Sequence, residues 1–264
     1  MTKTMCQTNK IHHMKNLLFF SLILTVLCTS SKCKDDVVTP MPKGAIKWNI
    51  KAKFNNQPFQ LNKIYSYNGK KVRFSRLSFY VSNISVNRKN SRSSIIDIPI
   101  AMIDFKEIDD SIKASKSFIL NFEGFQAREM DQFDFGIGVA SNLNSKKPKD
   151  YPSTNPLSET SNYWDAWNSY IFFKLEGSLD KDGDGQYETG ITLHAGGNEV
   201  YQSMNFSKVF SIKENETTPL SMELDLNKLI NGIDMETYNS THQIGDLPTM
   251  KKMMGNFQTA LIIK

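Results

Sequence analysis

The chain has little cysteine, and none of it lies where a folded domain would use it. Its three cysteines are Cys6, Cys28 and Cys33, and the sequence after position 33 contains no other. A domain without cysteine holds neither a disulfide nor a thiolate metal site, so its stability has to come from a hydrophobic core. About 220 residues are enough to build one such core.

Acidic residues are absent from the first 32 positions, whereas four lysines are present there: Lys3, Lys10, Lys15 and Lys32. The apolar run at 17–27 is too short for a permanent span, because crossing roughly 30 Å of hydrocarbon takes about 20 helical residues. A basic flank before a short apolar core is typical of an export signal, so we predict that residues 1–32 are a signal peptide. Met14 lies directly before Lys15 and the apolar run, and it is a candidate for the true start of translation.

Two cysteines end this signal, and lipid attachment at either one would anchor the mature protein to a membrane. Neither follows the small residue that lipoprotein signal peptidases favour, since Leu27 precedes Cys28 and Lys32 precedes Cys33. Cys33 is the favoured site, because two serines lie close by and the charged segment after it is similar to the start of many mature surface lipoproteins. Each buried CH₂ group of an acyl chain contributes roughly 0.8 kcal/mol to membrane binding. Lipidation at Cys28, or an ordinary cleaved signal with free cysteines, is the alternative.

We therefore expect an exported lipoprotein that faces the periplasm or lies exposed on the outer membrane, with the membrane as its partner through the lipid anchor. Residues 33–45 are the expected lipid-anchored tether, which contains Pro40 and Pro42. Removing the signal lowers the formal net charge from +5 to about +1. Most of the excess positive charge therefore belongs to the signal. The mature sequence shows no concentration of basic residues that would favour nucleic acid as a partner.

Short segments with alternating apolar residues recur through 46–264 and predict strands that are buried on one face. The clearest are 118–122, 133–139 and 222–226. The alternation slips at Asn83, which predicts a bulge. The continuously apolar segments 170–175 and 260–263 predict central strands packed on both faces. With short helices expected at about 226–230 and 248–254, the predicted fold is all-β, an antiparallel β-sandwich with one or two short helices.

The most specific local motif is Asp180-Lys181-Asp182-Gly183-Asp184-Gly185-Gln186-Tyr187-Glu188. Carboxylates at its first, third and fifth positions can converge in one turn, and Gln186 and Glu188 offer further oxygens. Such an all-oxygen set predicts a calcium site formed by Asp180, Asp182, Asp184, Gln186 and Glu188. The bidentate glutamate of a full EF-hand is missing, since Ile191 holds its position, so the loop looks like the truncated calcium loops of extracellular modules. A solvated acidic hairpin turn is the alternative.

Two tryptophans precede a core strand in Tyr163-Trp164-Asp165-Ala166-Trp167-Asn168-Ser169-Tyr170-Ile171-Phe172-Phe173-Lys174-Leu175-Glu176-Gly177. By themselves, Trp164 and Trp167 are read as an aromatic anchor for that strand. This segment is followed by the predicted calcium loop and by residues 191–197. Together they resemble the W-x-W-x-x-x-Y-x-F-x-K-x-E-G and H-x-G-G patterns of the MbnP-like domain family. That family is named after the periplasmic protein of methanobactin copper-chelator operons.

The resemblance covers residues 46–264, since segments 77–84 and 133–139 are also similar to strands of the family. The match has departures, and Trp164 and Trp167 lie three residues apart instead of the two of W-x-W. Ala140 stands where the family often has Asp, and Asn168 stands in place of Thr or Ser.

The resemblance implies copper handling outside the cytoplasm. In family members histidines supply metal-binding nitrogens, and a partner dihaem enzyme can oxidise a tryptophan to kynurenine. Mapped by motif, His194 and His242 become copper candidates, Trp164 and Trp167 become modification candidates, and a dihaem peroxidase-like protein becomes the implied partner. Imidazole suits copper in both oxidation states, with one of the methionines Met250, Met253 or Met254 as a soft neighbour. Hydrogen-bonded structural histidines and core methionines are the alternatives.

The sequence contains no recognisable set of nucleophile, base and orienting residue, no phosphate loop and no histidine cluster with catalytic zinc spacing, so we expect no enzyme. The expected function is that of an extracytoplasmic copper-handling lipoprotein with a structural calcium loop. The alternative is a calcium-stabilised surface module that binds a glycan or protein partner without copper.

Overall fold

The computed structural model describes residues 42–88 and 97–264. The predicted signal peptide, the candidate start Met14, the lipidation candidate Cys33 and most of the predicted tether lie outside these ranges. The first strand begins at Lys43, so residues 43–45, assigned above to the tether, belong to a strand. None of the helices within the described ranges has the length and hydrophobicity to span a bilayer.

The described residues form thirteen strands: β1 (Lys43–Phe54), β2 (Gln57–Pro58), β3 (Ile64–Tyr67), β4 (Lys70–Asn87), β5 (Asp97–Asp104), β6 (Phe118–Gln126), β7 (Arg128–Ile137), β8 (Tyr163–Trp164), β9 (Ser169–Asp180), β10 (Thr189–Gly196), β11 (Gln202–Ile212), β12 (Thr217–Asp225) and β13 (Leu261–Ile263). Five short helices accompany them: α1 (Ser111–Ala114), α2 (Ser141–Asn144), α3 (Leu226–Leu229), α4 (Leu247–Gly255) and α5 (Phe257–Ala260). Single 3₁₀ turns lie at Pro148–Asp150, Pro156–Ser158, Thr160–Asn162, Asp165–Trp167, Asn198–Val200 and Ile244–Asp246.

The strands form two sheets, which confirms the predicted all-β sandwich with short helices. One sheet has five strands in the order β13-β12-β1-β2, with β6 paired to β1. The other has eight, in the order β10-β9-β4-β7-β11, with β3 and β5 paired to β4 and β8 paired to β9. One pair, β1 and β12, is parallel. These strands come from distant parts of the chain, so no tight hairpin imposes an antiparallel direction on them.

The core between the sheets is rich in aromatic side chains. Trp48 on β1 is fully buried, and its ring centroid lies 5.0 Å from that of Phe133 and 4.7 Å from that of Phe135, both on β7. Because β1 and β7 belong to different sheets, these contacts join the two layers. Phe257 of α5 packs edge-on against Phe79 and Phe173 at another part of the core.

Most of the local predictions are confirmed, and one is wrong. The register between β4 and β7 shifts between Ser82 and Ser85, where Asn83 has a φ of 51°, so the predicted bulge is present. The central strand predicted at 170–175 lies in β9, between β10 and β4. By contrast, β13 is an edge strand whose Ile262 is 40% exposed. A run of four apolar residues is too short to reveal a position within a sheet.

The segment between β7 and β8 covers the outer face of the eight-stranded sheet. Tyr80 donates a hydrogen bond to the Pro156 carbonyl at 2.9 Å, and Tyr170 donates one to the Leu157 carbonyl at 2.8 Å. Lys174, 5% exposed, donates from Nζ to the Ser161 carbonyl at 2.8 Å. Polar groups on this face are therefore sheltered from solvent, and the candidate site lies beside them.

Candidate functional site

His194 lies on β10, on the same outer face. Its register partner on β9 is Lys174, and Glu176 lies two residues further along that strand. The side chain of His194 is 10% exposed, and its Nε2 lies 2.9 Å from Glu176 Oε1. Burial lowers the pKa of His194 to about 4, although the Glu176 carboxylate acts in the opposite direction. The imidazole is therefore neutral near pH 7, which is the form that binds metals.

His242 is brought to His194 by a short ladder along the edge of β10. Ser240 forms a parallel bridge with Thr192, and Thr241 N donates to the Thr192 carbonyl at 3.0 Å. The buried Thr241 hydroxyl accepts a hydrogen bond from His194 N at 2.8 Å and donates one to the His194 carbonyl. This ladder fixes the residue that follows it, His242, next to His194.

The two copper candidates thus face one another. Their ring centroids are 4.8 Å apart, and the ring planes are inclined by 40°. His242 Nδ1 lies 3.0 Å from the carbonyl oxygen of Thr241. The spacing of the two histidines in the sequence did not predict that their rings lie together, because His194 belongs to a strand and His242 to a connecting segment.

Trp164 and Trp167 lie on a tight hairpin that leads into β9. Trp164 pairs with Ser169, and the turn Asp165–Trp167 ends at Asn168, which has the left-handed values φ 49° and ψ 44°. Asn adopts this conformation more readily than most non-glycine residues. The turn therefore accounts for the departure from the family pattern at position 168.

The two indoles extend the cluster of rings around His242. The ring centroids of Trp164 and Trp167 are 4.3 Å apart, and Trp164 lies edge-on to His242 at 4.9 Å. Trp167 Nε1 donates to the His242 carbonyl at 3.2 Å. Both indoles are half-buried, whereas Trp48 is the tryptophan buried in the core. The structure therefore places both modification candidates against a copper candidate.

Gly196 makes room for the Trp167 ring. A Cβ atom at this position would lie 2.6 Å from the Tyr170 carbonyl oxygen and 2.9 Å from Trp167 Cε3 and Cζ3. Real Cβ atoms do not approach other atoms this closely, so any side chain here has to displace its neighbours. The first glycine of the H-x-G-G motif is thus explained by close packing.

Replacing Gly196 by alanine is expected to displace Trp167 and to cost about 1–3 kcal/mol of stability through overpacking. Chemical denaturation and the tryptophan emission spectrum measure the two effects. Gly190→Ala is the matched control on the same strand, because a Cβ there meets nothing within 4 Å. Equal stability and emission for the two variants would show that the glycine is not needed for packing.

A pocket of about 430 Å³ opens beside the ring cluster. Trp167, Leu247 and the buried Met250 line it together with His242. Met253 and Met254, from the same helix, are fully buried and do not line this pocket. Met250 is therefore the one of these three methionines that shares a cavity with a copper candidate.

The residues present fit a site built on two imidazoles. Each ring has one nitrogen within hydrogen-bond distance of an oxygen, which holds the ring in place. In the part of the chain that the structure describes, no group of three or more His, Cys, Asp or Glu ligand atoms forms around these rings. The sequence did not single out Glu176 or Thr241, although Glu176 shares a strand face with Lys174 by its period-two spacing.

The predicted calcium loop forms a second cluster, between β9 and β10. Ligand oxygens of Asp180, Asp182, Asp184 and Glu188 all lie within 4.8 Å of one another. The buried Asp180 accepts hydrogen bonds from Gly183 N at 2.7 Å and Gly185 N at 3.1 Å. These two glycines have φ values of 85° and 90°, which side chains rarely adopt.

Asp180 therefore stabilises the turn through these hydrogen bonds. The carboxylates of the three exposed acidic residues lie close to the carboxylate of Asp180. Gln186, the fifth predicted ligand, is exposed in the same turn, and its backbone N donates to Asp184 at 2.8 Å. Several carboxylates at this separation repel one another unless a cation neutralises them. The structure thus brings the four acidic residues of the predicted set together.

The matches to known proteins cover most of the residues that the structure describes. A family model described as MbnP matches residues 43–244. Among solved structures, the chain is similar to MbnP from Methylosinus trichosporium, with 11% identity and a TM-score of 0.50. The match covers 73% of this chain and 79% of that chain, and at this identity it shows the fold alone. A comparison with curated protein sequences gave no match.

Proposed function

Because the chain belongs to the MbnP family, whose model matches residues 43–244, we propose that it is an extracytoplasmic copper-binding protein. His194 and His242 are the proposed ligands. The observation that carries this proposal is the pair of imidazoles 4.8 Å apart, each held by one ring nitrogen. Imidazole is a good ligand for copper, and a neutral buried imidazole needs no deprotonation before it binds.

The surroundings of the two rings suit a soft cation. Trp164 and Trp167 shield His242 on one side, and the Met250 thioether lines the adjoining pocket. When bound, copper would supply a redox-active ion beside these aromatic and thioether groups. We propose binding and handling of the metal, with no enzymatic activity, by a lipoprotein anchored through Cys33 outside the cytoplasm.

Single substitutions of either histidine are expected to weaken Cu(I) binding at least about tenfold, which corresponds to about 1.4 kcal/mol. Competition with a chromophoric Cu(I) chelator measures the affinities of His194→Ala and His242→Ala. Tyr238→Ala is a suitable control, since it removes a 47% exposed ring from the segment that carries His242. Wild-type affinity in both histidine variants would place copper elsewhere.

We propose that a dihaem peroxidase-like partner oxidises Trp164 or Trp167. Both touch His242, through the ring contact of Trp164 and the hydrogen bond of Trp167, so the modification would alter the surroundings of a ligand. With peroxide as the oxidant, two oxygen atoms would open the indole ring to N-formylkynurenine, and water would then release the formyl carbon as formate. On balance, kynurenine has one more oxygen and one carbon fewer than tryptophan. After coexpression with such a partner, peptide mass spectrometry should find this change in the peptide with both residues and not at the buried Trp48. An unchanged peptide would contradict the proposal.

A structural calcium ion in the Asp180–Glu188 loop is the second proposed metal. Four converging carboxylate oxygens support it, and an all-oxygen ligand set is the one that calcium prefers. The loop joins β9 to β10, the strands that carry Glu176 and His194. Calcium would therefore stabilise the hairpin on which the proposed copper site is built.

The alternative function is a calcium-stabilised surface module that binds a glycan or protein without copper. The observation in its favour is the pocket of about 430 Å³, whose wall includes Trp167 and Leu247. Elemental analysis of the protein purified from its native membrane distinguishes the two functions. Copper in the wild type and its loss in a His194→Ala/His242→Ala double variant support the first function. Calcium alone supports the second.

A further inference from the structure

The two ring nitrogens of His242 are not equivalent. Nδ1 lies 3.0 Å from the carbonyl oxygen of Thr241, and a carbonyl oxygen only accepts hydrogen bonds. Nδ1 therefore carries the proton of the neutral ring. The lone pair that can bind a metal is then on Nε2.

His194 has the opposite arrangement. Its Nε2 lies 2.9 Å from Glu176 Oε1, and an ionised carboxylate also only accepts hydrogen bonds. Nε2 therefore carries the proton in the neutral His194 ring, and the lone pair is on Nδ1. The two rings, 4.8 Å apart, offer different nitrogens to whatever binds between them.

We infer that Glu176 is a positioning residue which assigns Nδ1 of His194 to the metal, while His242 binds through Nε2. This inference rests on the proposed copper function. A carboxylate that accepts the second N–H of a ligating histidine fixes the ring orientation and makes the ligand nitrogen more basic. Glu176 would thus act on the metal through His194 without touching it.

Strand pairing and hydrogen bonds fix the positions of Glu176 and its neighbours. It lies in β9, where its register partners are Thr192 on β10 and Arg76 on β4, so strands on both sides fix its backbone. The neighbouring cation Lys174 is bonded to the Ser161 carbonyl. His194 itself is bound through both its backbone N and its carbonyl to Thr241. These contacts fix both partners of the hydrogen bond from His194 to Glu176.

The test uses ¹⁵N NMR of the imidazoles, which is simple here because His12 and His13 belong to the predicted signal and leave two histidines in the mature chain. In the metal-free protein we expect His194 protonated on Nε2 and His242 on Nδ1. Silver(I), a diamagnetic substitute for Cu(I), should then show ¹⁵N–Ag coupling to Nδ1 of His194 and Nε2 of His242.

Glu176→Gln tests the role of the carboxylate, because an amide can donate to Nε2 as well as accept from it. We expect a mixed or reversed tautomer at His194, an unchanged His242 and silver(I) binding about 10–100-fold weaker. Glu129→Gln, which changes an exposed carboxylate on β7, is the matched control. The unchanged His242 spectrum shows that the variant is folded.

The outcomes separate the two proposals. A wild-type protein that binds neither Cu(I) nor silver(I) overturns the proposed copper function. A wild type that binds silver(I), with Glu176→Gln unchanged in both tautomer and affinity, overturns the role of Glu176 alone. Protonation of His194 on Nδ1 in the metal-free wild type overturns it as well.

Discussion

Trp48→Ala should lose about 3–5 kcal/mol of folding free energy, which is the usual cost of removing a large aromatic side chain from a core. Trp48 has no exposed surface, and it joins β1 of one sheet to Phe133 and Phe135 of the other. Neither aromatic partner can fill the space left by an indole. Urea denaturation measures the loss as a lower midpoint with a similar slope.

Trp48→Phe separates packing from hydrogen bonding. The Trp48 Nε1 atom is buried without a hydrogen-bond partner, so replacing the indole by a phenyl ring removes no hydrogen bond. The phenylalanine variant should therefore lose clearly less stability than the alanine variant. Val209→Ala, which shortens a 67% exposed side chain, should be nearly neutral. A Trp48→Ala variant as stable as Val209→Ala would contradict the sandwich core.

Calcium should raise the stability of the wild-type protein, and Asp182→Ala should abolish that rise. At a calcium concentration one hundred times Kd, binding adds about 2.7 kcal/mol. For a domain of this size, each kcal/mol shifts Tm by roughly 2–4 °C. Asp182 is the informative position, because it is exposed, whereas Asp180 also holds the turn through Gly183 and Gly185.

Thermal unfolding with added calcium or with a chelator measures this effect. Glu214→Ala is the control, since it removes an exposed carboxylate from the segment between β11 and β12. This variant should keep the full calcium-dependent rise. A parent protein whose Tm does not respond to calcium would rule out the calcium site.

Local patterns in the sequence were sufficient for the strands and for the acidic loop. Alternation at 133–139 predicted a strand, and the same residues place Phe133 and Phe135 against Trp48. The carboxylates of the acidic loop lie within nine residues, so their spacing alone was enough to bring them together.

Features that depend on distant parts of the chain could not be predicted from local patterns. The pairing of His194 with His242 depends on the bridge between Thr192 and Ser240, which no periodicity reveals. The parallel pairing of β1 and β12 and the edge position of β13 are likewise set by the assembled sheet. Family resemblance, not spacing, identified the two histidines as a pair of candidates.

Anomalous diffraction at the copper edge, from crystals of the copper-loaded protein, tests the proposed copper site most directly. The predicted result is one strong peak between the imidazoles of His194 and His242, next to Trp164 and Trp167. A peak confined to the acidic loop at 180–188, or no peak in the described domain, would contradict the proposed function.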